Sequence, residues 1–189
     1  MKYHDITHDD MKNGDGLRVV LWVSGCDHHC PGCQNPITWD PDDGLEWSYA
    51  QPMSEIMTDL RKDYVSGLTI SGGDPFHPNN VLTVMGICRY VKQALPDKTI
   101  WIYTGYRFDD LLEMIDFPES IFSYIDVLVD GPYEEQYRDV NYPWAGSTNQ
   151  RVIDIRKTFA EGKVVLYGNN QERRDPRTVG SSENCHCCS

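Results

Sequence analysis

Residues 17–33 read LRVVLWVSGCDHHCPGC, and this stretch sets the architecture to be expected. Val19, Val20, Leu21, Trp22 and Val23 form an unbroken apolar run over Leu17 to Ser24, the pattern of a short buried strand. It stops at Ser24-Gly25, and a loop rich in glycine, cysteine and proline follows at once. In parallel α/β sheets the carboxyl ends of the strands form the ligand-binding rim. A chemically loaded loop directly after a buried strand fits that arrangement.

The same order recurs downstream. Pro52 to Asp63 reads as a helix, with Pro52 suited to a first turn and Met53, Ile56, Met57 and Leu60 on one face. Gly67 to Ser71 is a second strand, closed by Gly72-Gly73-Asp74-Pro75. Asn79 or Asn80 caps a helix whose apolar face is Val81, Val84, Met85, Cys88, Val91 and Leu95. Thr99 to Tyr103 is a third strand, ending at Thr104-Gly105. Phe108 to Ile115 is a helix, and Tyr124 to Val129 a fourth strand, ending at Asp130-Gly131. Val164 to Tyr167 offers one more strand. The alternation predicts an α/β fold with a mostly parallel sheet and right-handed crossovers. A closed eight-stranded barrel takes about 250 residues; with 189 here, an open, partial (βα) barrel is expected. Residues 1–167 are read as one domain and 168–189, polar and without periodicity, as a Cys-rich tail.

The chain carries 29 acidic against 17 basic side chains, a formal net charge of −12. That balance argues against a nucleic-acid backbone as partner, because phosphate binding needs a basic face. The first ten residues hold Lys2, Asp5, Asp9 and Asp10 and no apolar run of signal-peptide length. Nothing approaches the length of a membrane span. A cytoplasmic location is therefore expected, and in that reducing compartment the seven cysteines read as metal ligands or free thiols before disulfides.

Cys26, Cys30 and Cys33 place three thiolates within eight residues, with Pro31-Gly32 giving a tight turn. Thiolates suit zinc or iron–sulfur clusters, both of which usually take four protein ligands. The next cysteine, Cys88, sits at an apolar helix position. Three ligands on a four-iron cluster leave one iron open to a substrate. The alternative from the residues alone is a zinc knob with His28 or His29 as fourth ligand.

The Cys-x3-Cys-x2-Cys spacing resembles the signature of the radical S-adenosylmethionine superfamily. Within it, Gly25 to Trp39, Ser71 to Phe76, Trp101 to Tyr106, Val127 to Gly131 and Gly146 to Gln150 resemble, in order, segments of the anaerobic ribonucleoside-triphosphate reductase activating family. The resemblance implies a [4Fe-4S] cluster on Cys26, Cys30 and Cys33 whose open iron chelates S-adenosyl-L-methionine. It implies reductive cleavage to a 5′-deoxyadenosyl radical, which abstracts hydrogen from a backbone glycine of the partner, anaerobic ribonucleotide reductase. An electron donor such as flavodoxin or ferredoxin is implied as well.

Further site residues follow from the same resemblance and from their places at strand ends. Gly72 and Gly73 let a backbone approach a ligand closely, and Asp74 is placed to orient the ammonium group of S-adenosylmethionine. Gly32, Cys33 and Gln34 border the third ligand, where backbone groups reach toward adenine. Relatives carry an aromatic residue at one or other flank of that cysteine; Gly32 and Gln34 stand there in this chain. Thr104 and Asp130 are placed along the ribose and methionine pocket. Ala145 stands where the family usually has arginine, so no anion contact is expected there. Cys88 reads as a core thiol. Cys185, Cys187 and Cys188 lie beyond the resemblance. Two other functions compete: activation of a different glycyl-radical enzyme such as pyruvate formate-lyase, and an electron carrier, whose signature would be four cysteines.

Overall fold

A computed structural model describes residues 1–115 and 121–168. It contains seven strands, β1 (Lys2–Asp10), β2 (Leu17–Val23), β3 (Leu45–Glu46), β4 (Val65–Gly72), β5 (Thr99–Tyr103), β6 (Val127–Asp130) and β7 (Arg151–Asp154). Among the described residues the helices α1 (Gln51–Leu60), α2 (Val81–Ala94), α3 (Phe108–Met114) and α4 (Ile155–Glu161) accompany them. The strands form one sheet in the order β3-β1-β2-β4-β5-β6-β7.

Pairings β2–β4, β4–β5 and β5–β6 are parallel, as the alternation of strand and helix requires. The flanks depart from expectation. Pairs β1–β2, β1–β3 and β6–β7 are antiparallel, so the parallel centre is flanked by antiparallel strands and the sheet is mixed. It ends on β3 and β7 and is not closed. The expected strand at Val164 to Tyr167 is a single bridge, Leu166 to Ile153, tied by Asp154 N to Val165 O and Tyr167 N to Val152 O, both 2.8 Å.

Strand alternation divides the sheet into two faces. Val19, Leu21, Val23, Leu68, Ile70, Ile100, Ile102, Leu128 and Ile153 pack with the helices. Those helices contribute Met53, Ile56 and Leu60 from α1 and Val84, Ile87, Cys88 and Val91 from α2. Burying this face is the main driving force for assembly, at about 25 cal/mol per Å² of apolar surface. The opposite face carries Trp101, Val127, Val129 and Val152, covered by Trp144 and Tyr167.

Arg18 lies on this second face and is fully buried. It donates to Thr69 Oγ1, Leu68 O, Thr99 O, Thr99 Oγ1 and Asp15 O at 2.7–3.1 Å. Burial pulls its guanidinium down to about 10, against the opposing charges of Tyr103 and Asp126. Five donors satisfied this way tolerate an interior position.

No helix among the described residues is long and apolar enough to cross a membrane. From residue 169 onward the tail, with Cys185, Cys187 and Cys188, lies outside the described residues.

Candidate functional site

The loops at the carboxyl ends of β2, β4 and β5 and the loop after β6 surround one cleft of about 840 Å³. Cys26, Cys30 and Cys33 line it, together with Gln34, Gly72, Gly73, Asp74 and Thr104. Gly32 and Asp130 do not. Gly32 is exposed, at φ +74°, with Glu135 beside it.

Asp130 is fully buried and accepts from Phe108 N at 2.7 Å and from Arg151 Nε at 3.0 Å. Its carboxylate anchors the start of α3 and ties β6 to β7 instead of facing the cleft. Strand alternation explains this, since Asp130 shares the parity of Leu128, which packs with the helices.

The cysteine loop is pinned at its start by backbone bonds, Gly25 N to Thr38 O at 2.8 Å and Cys26 N to Trp39 O at 3.0 Å. The Gly-Gly-Asp turn is stitched to it: Gly73 N donates to Val23 O and Asp74 N to Gly25 O, both at 2.7 Å. A Cβ on Gly73 would lie 2.5 Å from Gly25 O. The glycine is therefore needed first for contact between the two loops.

Asp74 is the hub. Its buried carboxylate accepts from Phe76 N at 2.8 Å, Thr104 Oγ1 at 2.9 Å, Gly105 N at 2.9 Å and His28 Nε2 at 2.9 Å. The hydrogen bond to Asp74 raises the His28 imidazole above its ordinary value, against burial. A Cβ at Gly105 would meet the His28 ring at 2.4 Å, and Tyr106 packs edge-on against that ring at 4.5 Å. One carboxylate thus fixes the cysteine loop, its own turn and the end of β5. His29 turns elsewhere, with Nδ1 3.0 Å from Asp27 O and its ring against Trp39.

Burial pushes the Cys26 thiol up to about 11, although backbone N–H groups of His28 and His29 pull the other way. Burial likewise raises Cys30, opposed by the N–H of Tyr133. Asn35 N lies 3.4 Å from Cys33 Sγ. Backbone N–H groups directed at sulfur are the surroundings that tune thiolate-held clusters. Among the described residues no three or more His, Cys, Asp or Glu side chains converge closely enough for one metal ion. With His28 on Asp74 and His29 on Asp27 O, neither histidine is placed as the fourth ligand of a zinc knob among the described residues. Three thiols facing one cleft fit a larger cluster.

Two residues matter here that the sequence reading passed over or misassigned. Asn80, expected at most as a helix cap, makes no side-chain cap bond. Fully buried, its Nδ2 donates to Ser24 O at 2.7 Å and Asp74 O at 2.9 Å, bracing the two loops. Gln150 closes the other wall: its Oε1 accepts from Gly146 N at 3.0 Å, and its Nε2 donates to Gly131 O at 3.0 Å. The Gly146 to Gln150 motif carried that signal; Asn80 had none beyond its place after Asp74.

Comparison with known proteins adds a second line. A family described as 4Fe-4S single cluster domain matches residues 12–153. The chain is 42% identical over 153 residues to an anaerobic ribonucleoside-triphosphate reductase-activating protein of Vibrio cholerae, covering 79% of this chain and 96% of that protein. Proteins of the same name from Enterobacteria phage T4 and Escherichia coli K12 are 39% and 37% identical. Those matches cover 80% and 82% of this chain and 93% and 100% of theirs.

Proposed function

The chain belongs to the family of anaerobic ribonucleoside-triphosphate reductase-activating proteins, and on that premise we propose that it activates the anaerobic reductase through a [4Fe-4S] cluster held by Cys26, Cys30 and Cys33. The observation that carries the reading is the convergence of three cysteines and the Gly72-Gly73-Asp74 turn on one cleft. With S-adenosylmethionine bound, such a cluster supplies one-electron reductive cleavage and hydrogen abstraction from a glycine of the reductase.

The protein's own residues prepare that site. Cys26, Cys30 and Cys33 would hold the cluster as thiolates, each thiol giving up its proton on uptake, and three such ligands would leave one iron of four without a protein ligand. Gly72 and Gly73 form a side-chain-free wall beside it, where the amino-acid end of S-adenosylmethionine is placed. Asp74 is a positioning residue, because its oxygens are already committed to His28, Phe76, Thr104 and Gly105. Gln34 and Thr104 line the remaining wall. The sheet acts as an open partial barrel, and its uncovered mouth admits a loop of the protein substrate, whose arrival excludes water. Residues 1–167 form the activating domain, and 168–189 are a separate tail. The electron donor is a small redox protein such as flavodoxin or ferredoxin, and the setting is the cytoplasm.

The test is electron paramagnetic resonance after anaerobic mixing of the reconstituted protein, reductant, S-adenosylmethionine and the reductase. A glycyl doublet on the reductase is expected, with its splitting changed by deuterated glycine. A radical on pyruvate formate-lyase in place of the reductase would reassign the partner. Absence of cleavage with a loaded cluster would overturn the enzyme reading.

A further inference from the structure

The loop after β6 packs along the cysteine loop on both flanks of Cys33. Tyr133 directs its backbone N–H at the Cys30 sulfur. A Cβ on Gly32 would lie 2.7 Å from a carboxylate oxygen of Glu135, so that flank has no room for a larger side chain. The other flank carries Gln34, exposed and lining the cleft, with its side-chain amide unpartnered among the described residues. Gly146 brings Gln34 and Tyr133 together. A Cβ there would lie 3.0 Å from Tyr133 Cδ2 and 3.5 Å from Gln34 Nε2. The missing side chain leaves a corner of the cleft bounded by an aromatic ring and a primary amide.

Other aromatic side chains of the cleft are engaged with the protein. Trp22 Nε1 donates to Thr7 Oγ1 at 2.7 Å, and Trp144 packs edge-on with Trp101 and Tyr167. Tyr142 is buried and donates to Gln150 O at 3.1 Å. Tyr133 stands at the cysteine loop itself. The pairing of ring and amide suits a purine, which is a flat π system with a hydrogen-bonding edge. Base stacking on an aromatic ring is tolerant of sequence, whereas a glutamine amide donates and accepts at once, the pattern that matches N7 and the N6 amine of adenine. The amino-acid end of S-adenosylmethionine is placed at Gly72 and Gly73, which follow β4. Tyr133 follows β6, two strands along the sheet, so a different wall is left for the adenosyl end.

Resting on the function proposed above, we propose that Tyr133 supplies the stacking surface and Gln34 the amide that select the adenine of S-adenosylmethionine. Gln34 accepts from the N6 amine and donates to N7. Hypoxanthine carries an oxygen acceptor where adenine carries that amine, so it sets oxygen against the Gln34 carbonyl and binds less well. In this chain the pair takes the part of the aromatic residue that relatives carry beside the third cysteine.

The experiment is anaerobic calorimetry on the cluster-loaded full chain and its variants Tyr133→Leu, Tyr133→Phe and Gln34→Leu. Each is titrated with S-adenosylmethionine and with the analogue carrying hypoxanthine in place of adenine. Tyr133→Leu keeps apolar bulk without the ring and should bind S-adenosylmethionine at least about fivefold more weakly, while Tyr133→Phe should stay within about twofold of wild type. Wild type should prefer adenine to hypoxanthine at least about fivefold, and Gln34→Leu should bind both alike. Wild-type affinity in Tyr133→Leu, or a Tyr133→Phe as weak as Tyr133→Leu, overturns the stacking role and leaves the proposed activity standing. A wild type indifferent to the base, or a preference kept in Gln34→Leu, overturns the amide role in the same way. That comparison does not use the Tyr133 variants, so it decides even where Tyr133→Leu takes up no cluster. A loaded wild-type chain that binds neither compound overturns both this inference and the function it rests on.

Discussion

A Cβ placed on Gly73 would lie 2.5 Å from the carbonyl oxygen of Gly25 and 2.9 Å from its nitrogen. Such contacts involve backbone that is itself held, since Gly25 N donates to Thr38 O and Gly25 O accepts from Asp74 N. From sequence, Gly73 suggests room for a ligand, and a bulky residue there should impair only cofactor binding. The structure gives a wider consequence. Gly73→Val should displace the cysteine loop and lower iron and sulfide content several-fold along with S-adenosylmethionine affinity. Full cluster loading in that variant would show that the loop adapts.

Asp74→Asn should be more damaging than its similar shape suggests. Asn replaces one acceptor oxygen with a donor, which must face His28, Thr104 or the N–H of Gly105. A buried unpaired donor costs about 1–3 kcal/mol. Urea unfolding should show a loss of that size, and S-adenosylmethionine affinity should fall at least about tenfold as the turn loses its anchor. Thr104→Val, which removes one donor only, should have the smaller effect on both.

Much of this arrangement was legible in the sequence because buried parallel strands announce themselves as apolar runs. β2, β4, β5 and β6 are of that kind, and the motifs at their carboxyl ends meet at one cleft. The flanks were not legible. β1 buries only Ile6 in a stretch otherwise rich in charge, so it shows no apolar alternation. β7 has four residues, and α4 buries only Ile155 and Thr158. Asp130 was misplaced because its position at a strand end was read without the parity it shares with Leu128. Asn80 was hidden because its partners, Ser24 O and Asp74 O, are backbone atoms that no motif records.

Asp130 should therefore behave as a structural residue. Removing one partner from a buried ion pair costs up to about 3–5 kcal/mol, and Asp130→Ala leaves Phe108 N without its acceptor and Arg151 with Asp109 alone. Denaturant unfolding should register a loss of that order. Asp130→Asn should lose less, and its folded fraction should bind S-adenosylmethionine with wild-type affinity. A selective affinity loss in Asp130→Asn would return this carboxylate to the cleft.

His8 links β1 to α1 by contacts with Asp59 and Glu55, and Lys62 also pairs with Asp59. Burial lowers the imidazole, but hydrogen bonds and charge from Asp59 and Glu55 outweigh it and leave the group raised above 6.5. Burial raises Asp59, but bonds from Lys62 and His8 prevail and lower it below 3.8. The histidine contribution is thus fully present below pH 6.5 and fades as pH rises through the raised value. The aspartate contribution is fully present above 3.8 and fades as pH falls through the lowered one. Between those limits His8→Gln should show its largest drop in urea midpoint, narrowing above neutrality. A drop independent of pH would mean that the ring acts by packing alone.

The four cysteines among the described residues differ in kind, and single substitutions should separate them. Cys26, Cys30 and Cys33 are half-buried on the cleft, with backbone N–H groups directed at their sulfurs. Cys88 is fully buried on α2 among Val84, Ile87 and Val91, and burial pushes its thiol up to about 12. A group so placed serves packing. Cys88→Ala should cost about 1 kcal/mol for a cavity of one sulfur and leave iron and sulfide content unchanged. Cys26→Ala, Cys30→Ala and Cys33→Ala should each abolish the brown absorbance and most bound iron, because two thiolates hold a four-iron cluster poorly. The same three variants should lose little thermal stability before reconstitution, since each thiol lies at the cleft and not in the core. Retention of a full iron complement by any of the three would remove that cysteine from the ligand set.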